Sequence, residues 1–310
     1  MTHLALLLAA AAGADLFGTA AGLELTYAGR LTPVAVTEGN AAEKGFSVLW
    51  YVPRPEGGPA EGLFVTTEDA AALPWLARFG FCPPEGGDDG PRIGYRFGDR
   101  DHTVPLPGAT FPLVDRLATE REIVDGPSRF AVVGEEEISG RDCLVVEAST
   151  NFGRERTLAV ETSTGLVVTD ERTVFLGRGD RFRLTLELSE ARPLDTATSA
   201  AHHKVADLLR RIAVAAGQRD RDPGSDLPAG PLASVAALAG PLTEAASGTP
   251  FEPLATAIAR DVGEQHVRAE GVDGLAKKRV GSPAPPLDLK GLDGKPIDAA
   301  SLTGKIVVLH

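Results

Sequence analysis

Residues 181–191 read RFRLTLELSEA, and this run decides the fold class. Phe182, Leu184, Leu186 and Leu188 fall on one side of an extended chain, with Arg183, Thr185, Glu187 and Ser189 on the other, because successive strand side chains point to opposite faces. Alternation this strict predicts a strand with one face in a core and one in water, which is how antiparallel sheets are built. Upstream, residues 142–148, 156–161 and 165–175 form three more β-type runs. Thr162-Ser163-Thr164-Gly165 and Gly177-Arg178-Gly179-Asp180 separate them, supplying the glycines that tight turns need for positive φ. The four runs predict an antiparallel meander.

The pattern extends towards the N-terminus. Leu23, Leu25 and Tyr27 alternate with Glu24, Thr26 and Ala28, and residues 46–52 (FSVLWYV) are apolar enough for a strand buried on both faces. Shorter strand candidates lie at 62–67, 92–97 and 129–133. Residues 20–195 are therefore expected to form one curved antiparallel sheet domain. Inside it, residues 70–81 (AAALPWLARFGF) read as a short helix over the sheet, whose Trp75, Leu76, Phe79 and Phe81 are either core or an apolar lid facing a ligand.

From residue 197 the period changes from 2 to 3.6. Val205, Leu208, Leu209, Ile212 and Ala216 share one helical face, with Thr196, Thr198 or Ser199 as the expected cap. Residues 217–231 (GQRDRDPGSDLPAGP) read as a linker, and helices are expected near 232–246 and 251–269. The helical segment spans 196–275, so the fold class is α+β.

Composition narrows the function. The 310 residues carry 31 Lys and Arg against 43 Asp and Glu, a formal charge of −12. Residues 1–195 hold 18 basic and 30 acidic side chains, whereas residues 196–310 hold 13 of each. With no basic patch to neutralise phosphates along a duplex, nucleic-acid binding is excluded as an expectation. Residues 4–12 (LALLLAAAA), followed by Ala12-Gly13-Ala14, have the form of an export signal over residues 1–14 with a small-x-small cleavage site. The run is far below the ~20 residues of a membrane span. Export to the periplasm or cell envelope is expected, with no membrane span beyond the signal.

Two cysteines, Cys82 and Cys143, rule out a disulfide scaffold and a cysteine zinc finger. They are not in a Cys-x-x-Cys; they either pair or remain thiols. His202 and His203 are adjacent, about 100° apart on a helix, and so do not share a metal-binding face; they read as surface residues. Arg178-Gly179-Asp180 reads as a turn and Glu135-Glu136-Glu137 as a solvated edge. There is no P-loop, G-x-G-x-x-G or G-x-S-x-G. No catalytic residue, cofactor or metal site is expected.

The tail carries a family signal. It runs Val280-Gly-Ser-Pro-Ala-Pro-Pro-Leu-Asp-Leu, then Gly291-Leu-Asp-Gly-Lys-Pro-Ile, then Ser301-Leu-Thr-Gly-Lys-Ile-Val-Val-Leu-His310. This resembles the opening of the thioredoxin-like redoxins, the peroxiredoxin-related and TlpA-type thiol–disulfide oxidoreductases. The resemblance implies that residues 280–310 are the truncated start of a thioredoxin-like α/β domain. It also implies a parent protein that is an exported bacterial oxidoreductase, with the sheet domain as an accessory binding module. The family's Cys-x-x-Cys would follow the Val-rich strand, and the chain reaches His310 before it. An alternative rests on Glu161-Thr-Ser-Thr-Gly-Leu-Val-Val. Within residues 142–192 it resembles the D/E-x-x-T-G-L hairpin of LolA-like lipoprotein carriers, which implies a sheet cradling an acyl chain with no enzymatic activity. The expected partner is a protein or lipid of the envelope.

Overall fold

The computed structural model describes residues 20–35, 41–54, 61–70, 73–97, 100–151, 153–218, 222, 224–282, 290, 295–296 and 302. The expected signal peptide and nearly all of the redoxin-like tail lie outside the described residues. Contacts divide the chain into two units, Met1–Gly263 and Glu264–His310.

The first unit is built on a ten-stranded antiparallel sheet. Four strands step outward from its centre: β1 (Gly22–Ala35), β2 (Lys44–Pro53), β3 (Gly62–Glu68) and the edge strand β4 (Phe79–Cys82). The chain then makes a separate hairpin, β5 (Arg92–Phe97) with β6 (Arg100–Pro105), and a short helix α1 (Val114–Glu120). It re-enters at the opposite edge as β7 (Glu122–Asp125) and returns through β8 (Ser128–Ile138), β9 (Arg141–Thr150), β10 (Gly153–Glu161) and β11 (Val167–Leu176). The last strand, β12 (Asp180–Leu194), pairs with β1 and joins the two meanders.

This order has a consequence for residues 83–121. They connect the two outer edges of one sheet, so they must cross one of its faces. We call that the front face. Cross-strand register places Leu25, Tyr27, Leu31, Trp50, Phe182, Leu184 and Leu186 on it, all at most 4% exposed. Ile93, Tyr95, Phe97 and Val104 of the hairpin pack against them, with Tyr95 and Phe97 edge-on to Phe182. Under α1, Phe111, Val114 and Leu117 meet Leu144, Val146 and Leu158. The front face is thus filled by the chain's own crossover.

The back face of β2–β4 is covered by helices. Asp195, not the expected Thr196, Thr198 or Ser199, caps α2 (Thr196–Ala216), accepting the Thr198 N–H at 2.7 Å. Ser199 instead donates to Ala21 O and bonds Tyr51 Oη. With α3 (Ala229–Ala246) and the first part of α4 (Glu252–Arg279), α2 buries Leu209, Ile212, Leu242 and Phe251 against Tyr51, Leu63 and Val65. The second unit contains the remainder of α4 and an isolated bridge, Lys290–Pro296.

The antiparallel sheet expected from residues 181–191 is present, followed by helices. The helix expected over 70–81 is not. Among its described residues there is a 3₁₀ turn, Trp75–Ala77, and then β4. Pro74 precedes the turn in extended conformation (φ −63°, ψ 157°), and Phe79-Gly80-Phe81 alternates like a strand and pairs with β3.

Candidate functional site

The crossover is held to the front face by a few polar ties along its length. Register across the sheet sets Arg156 opposite Arg172, Arg172 opposite Leu184, Leu184 opposite Leu31 and Leu31 opposite Lys44. The neighbouring row runs Leu158, Asp170, Leu186, Gly29, Phe46 and Glu68. Two charged clusters therefore stand on one apolar face, on either side of Leu31, Leu184 and Leu186.

At one end Lys44 Nζ lies 2.5 Å from Glu68 Oε2 and donates to Gly94 O at 2.6 Å, while Gly94 N donates to Glu68 Oε1 at 3.0 Å. The ion pair is buried, with side chains 9% and 0% exposed. It satisfies both backbone groups of Gly94 in β5, which burial would otherwise leave costly. Tyr95 Oη adds a bond to Ala42 O at 2.7 Å.

At the other end Arg156 Nε donates to Asp170 Oδ2 at 2.7 Å, and Arg172 Nη2 donates to Pro105 O at the end of β6. Asp170 is 2% exposed. Among the described residues its Oδ1 and the Arg172 Nε have no hydrogen-bond partner. Burial lowers the Arg172 pKa from the usual guanidinium value; Asp170 opposes that shift and the Arg156 charge adds to it. Nearby, Tyr27 Oη donates to Ala109 O at 3.1 Å, and burial pushes its phenol pKa up.

The Glu161–Leu166 turn is a third anchor. Thr164 Oγ1 donates to Glu161 Oε2 and accepts Leu166 N at 3.2 Å, and Arg141 holds Glu161 Oε1 at 2.9 Å. Gly165 sits at φ +72°, a left-handed conformation that favours glycine. Its carbonyl accepts Phe111 N at 2.8 Å, while Val167 N donates to Ala109 O at 2.9 Å. The sequence marked this stretch as a turn; that it grips the crossover had no sequence signal.

The residues read as either core or an apolar lid are placed as follows. Trp75, Leu76 and Phe79 are buried in the back-face core beneath the helices, and Trp75 Nε1 donates to Asp261 Oδ2 at 2.7 Å. Phe81 is half-buried under the Arg210 guanidinium, 4.3 Å from its ring centroid. Cys82 and Cys143 are buried and not bonded to each other in this structure. Cys82 belongs to the front-face core and Cys143 to a small cluster with Ala159 and Val168. Their strands stand seven places apart in the sheet, roughly 30 Å at the ordinary strand spacing, against a limit of about 7 Å for a disulfide. Burial, together with Asp89, Glu61 and Glu85, pushes the Cys82 thiol up to about 12, and burial and Glu161 raise Cys143. Neither has the character of a reactive thiolate.

His202 was expected at the surface and is instead 1% exposed. Its Nε2 lies 2.6 Å from Glu24 Oε2, and Arg192 Nη2 donates to Glu24 Oε1 at 2.7 Å. The ring is edge-on to Tyr51 and Phe251. Burial raises the Glu24 pKa, but hydrogen bonds from His202 and Arg192 outweigh it and hold the carboxyl below its ordinary value. This cluster fixes α2 to β1 and β12. Among the described residues no group of three or more metal-ligating side chains is present, and no helix is long and apolar enough to cross a membrane.

No family model matches the chain, and no curated protein matches it. Solved structures do. A DUF1329-family protein from Desulfovibrio piger matches at 12% identity and a TM-score of 0.23, covering 58% of this chain and 88% of that one. The MucA/MucB complex of Pseudomonas aeruginosa gives 11% identity and 0.28, covering 55% of this chain and 51% of the matched chain. A LolA-superfamily protein from Nitrosomonas europaea gives 12% and 0.20, with 58% and 90% covered. Scores this low do not assign a family, and the ligand chemistry has to be read from the chain's own residues. The redoxin reading is corrected: the structures named among these matches are a DUF1329-family protein, a LolA-superfamily protein and a putative lipoprotein-sorting domain, and not redoxins.

Proposed function

We propose that this chain is a binding module that carries an apolar chain, such as a lipid acyl group, on the front face of its sheet, and that it works in the cell envelope. The observation that supports this most is the crossover. A broad apolar face is covered by residues 83–121, joined to it at discrete polar ties, while the structural helices occupy the opposite face. A cover on its own connector is exchangeable: an acyl chain replaces Ile93, Tyr95 and Phe97 against Phe182 and Leu184 without disturbing α2–α4. Apolar burial at about 25 cal/mol per Å² supplies the drive on either occupant, so exchange asks only for a ligand that matches the displaced area. The export-signal form of residues 1–14 supports the location.

The test is a titration of the full chain with 11-(dansylamino)undecanoic acid, followed by dansyl fluorescence and by hydrogen exchange. The reading expects saturable binding with one site, displaced by oleate, and slower or faster exchange confined to 92–111 and the front-face strands. Absence of saturable binding by the folded chain, or exchange changes confined to the α2–α4 layer, overturns it.

A further inference from the structure

We propose that Arg172, with Arg156 and Asp170, forms a binding site for the oxyanion head of an amphiphile, and that the head takes Arg172 from the Pro105 carbonyl. This rests on the carrying function just proposed and adds the chemistry of the ligand's polar end.

Three observations support it. Arg156 and Arg172 are directly opposed across β10 and β11, an arrangement that is destabilising for like charges and needs a reason. Among the described residues Asp170 is the carboxylate that acts on Arg172, and its Oδ2 is committed to Arg156. The cluster therefore carries an excess of one positive charge on the front face of a chain whose overall charge is −12. Second, the cluster holds two partly matched orphans: Arg172 Nε is a donor and Asp170 Oδ1 an acceptor, each without a partner among the described residues. Asp170 is 98% buried by its 2% exposure, a place where an unmet acceptor is costly. Third, the acceptor that Arg172 has among the described residues is a neutral carbonyl, Pro105 O, on the crossover.

An oxyanion supplies what each of these lacks. It neutralises the excess charge, accepts from Arg172 Nε, and, where it keeps a proton as a phosphate monoanion does, donates to Asp170 Oδ1. Guanidinium–oxyanion bonds are roughly twice as strong as bonds to neutral acceptors and are often bidentate, so the head competes well against the Pro105 carbonyl. Losing that bond frees the end of β6, next to Leu106 and Ala109, where the acyl chain would enter the front-face core. Head recognition and uncovering are thus one event. A fatty-acid carboxylate and a phosphate-headed lipid share the bond to the Arg172 guanidinium and the charge neutralisation; only the protonated phosphate adds the donation to Asp170 Oδ1.

The experiment compares 11-(dansylamino)undecanoic acid with its methyl ester, which differ only in charge at the head, on the full chain and on the variants Arg172→Gln and Arg183→Gln. Arg183 is exposed and lies on the opposite face of the same sheet. The proposal expects wild type and Arg183→Gln to bind the acid at least tenfold more tightly than the ester. It expects Arg172→Gln to bind both at the ester's level. Competition with dodecanoate, monododecyl phosphate and inorganic phosphate then identifies the head: the stronger of the two amphiphiles names the source, and displacement by inorganic phosphate alone at equal concentration overturns the requirement for an apolar tail. Equal binding of acid and ester by wild type overturns the head site whether or not Arg172→Gln folds, and leaves the carrying function standing. Failure of wild type to bind either probe overturns the carrying function itself.

Discussion

Replacing Lys44 by Met isolates the crossover from the rest of the fold. In the native protein Lys44 and Glu68 form a buried pair at 2.5 Å, with the Glu68 side chain 0% exposed, and both grip Gly94. Removing one partner of such a pair costs about 3–5 kcal/mol, because the remaining charge stays buried. Each 1.4 kcal/mol is a factor of ten, so if the cover opens as a unit its opening constant rises roughly a hundred- to a few-thousand-fold. The double variant Lys44→Met with Glu68→Gln removes the charge but keeps an acceptor for Gly94 N, and should recover at least half of the loss. The assay pairs urea unfolding, for global stability, with hydrogen exchange of 92–105. Exchange should accelerate in the hairpin by more than in β9–β11, and the double variant should return it towards the native rate. Equal destabilisation by the single and double variants would refute the buried-charge argument. Uniform acceleration through β9–β11 would refute the view that the crossover opens separately.

Three further outcomes follow from other contacts. Glu24 contributes stability above the ordinary carboxylate pKa of 4.5, because the folded state holds it lower; the unfolded chain binds the extra proton first, so this contribution fades as pH falls below 4.5, and His202→Leu should flatten that part of a stability–pH profile. Gly165→Ala meets Val114 Cγ1 at 3.2 Å and Phe111 O at 3.3 Å from a φ of +72°, and should lower the urea midpoint by the equivalent of about 1–2 kcal/mol. Under denaturing, non-reducing conditions, mass spectrometry should find both Cys82 and Cys143 alkylated, whereas the native protein should react slowly at either; a mass two daltons short with no alkylation would contradict the separation of their strands.

The sheet was legible because residues 181–191 alternate without interruption, and α2 because Val205, Leu208, Leu209 and Ile212 keep a 3.6 period. The exact partners were not. Nothing local says that β12 joins β1 rather than a later strand, since that pairing links Leu194 to Gly22 across the whole domain. The 70–81 segment misled because apolar residues around a proline fit both a short helix and an edge strand, and tertiary pairing with β3 decided it. His202 looked like surface because its polar partner, Glu24, is 178 residues away. The front-face clusters were invisible for the same reason: the Pro105 carbonyl that Arg172 meets and the pairing of Arg156 with Asp170 arise only once the strands are in register and the hairpin is placed over them. What the sequence did hold, in Glu161-Thr-Ser-Thr-Gly-Leu, was the local chemistry of a turn without its purpose.

The chain has two tryptophans, and the sheet separates them: Trp50 lies in the front-face core and Trp75 in the back-face core. Quenching by brominated stearate, which acts only at short range, therefore reports which face receives the acyl chain. In Trp75→Phe, where Trp50 alone emits, saturating brominated stearate should quench most of the fluorescence, and in Trp50→Phe it should leave Trp75 nearly untouched. Quenching of Trp75 but not Trp50, with both variants folded, would contradict a ligand carried on the front face.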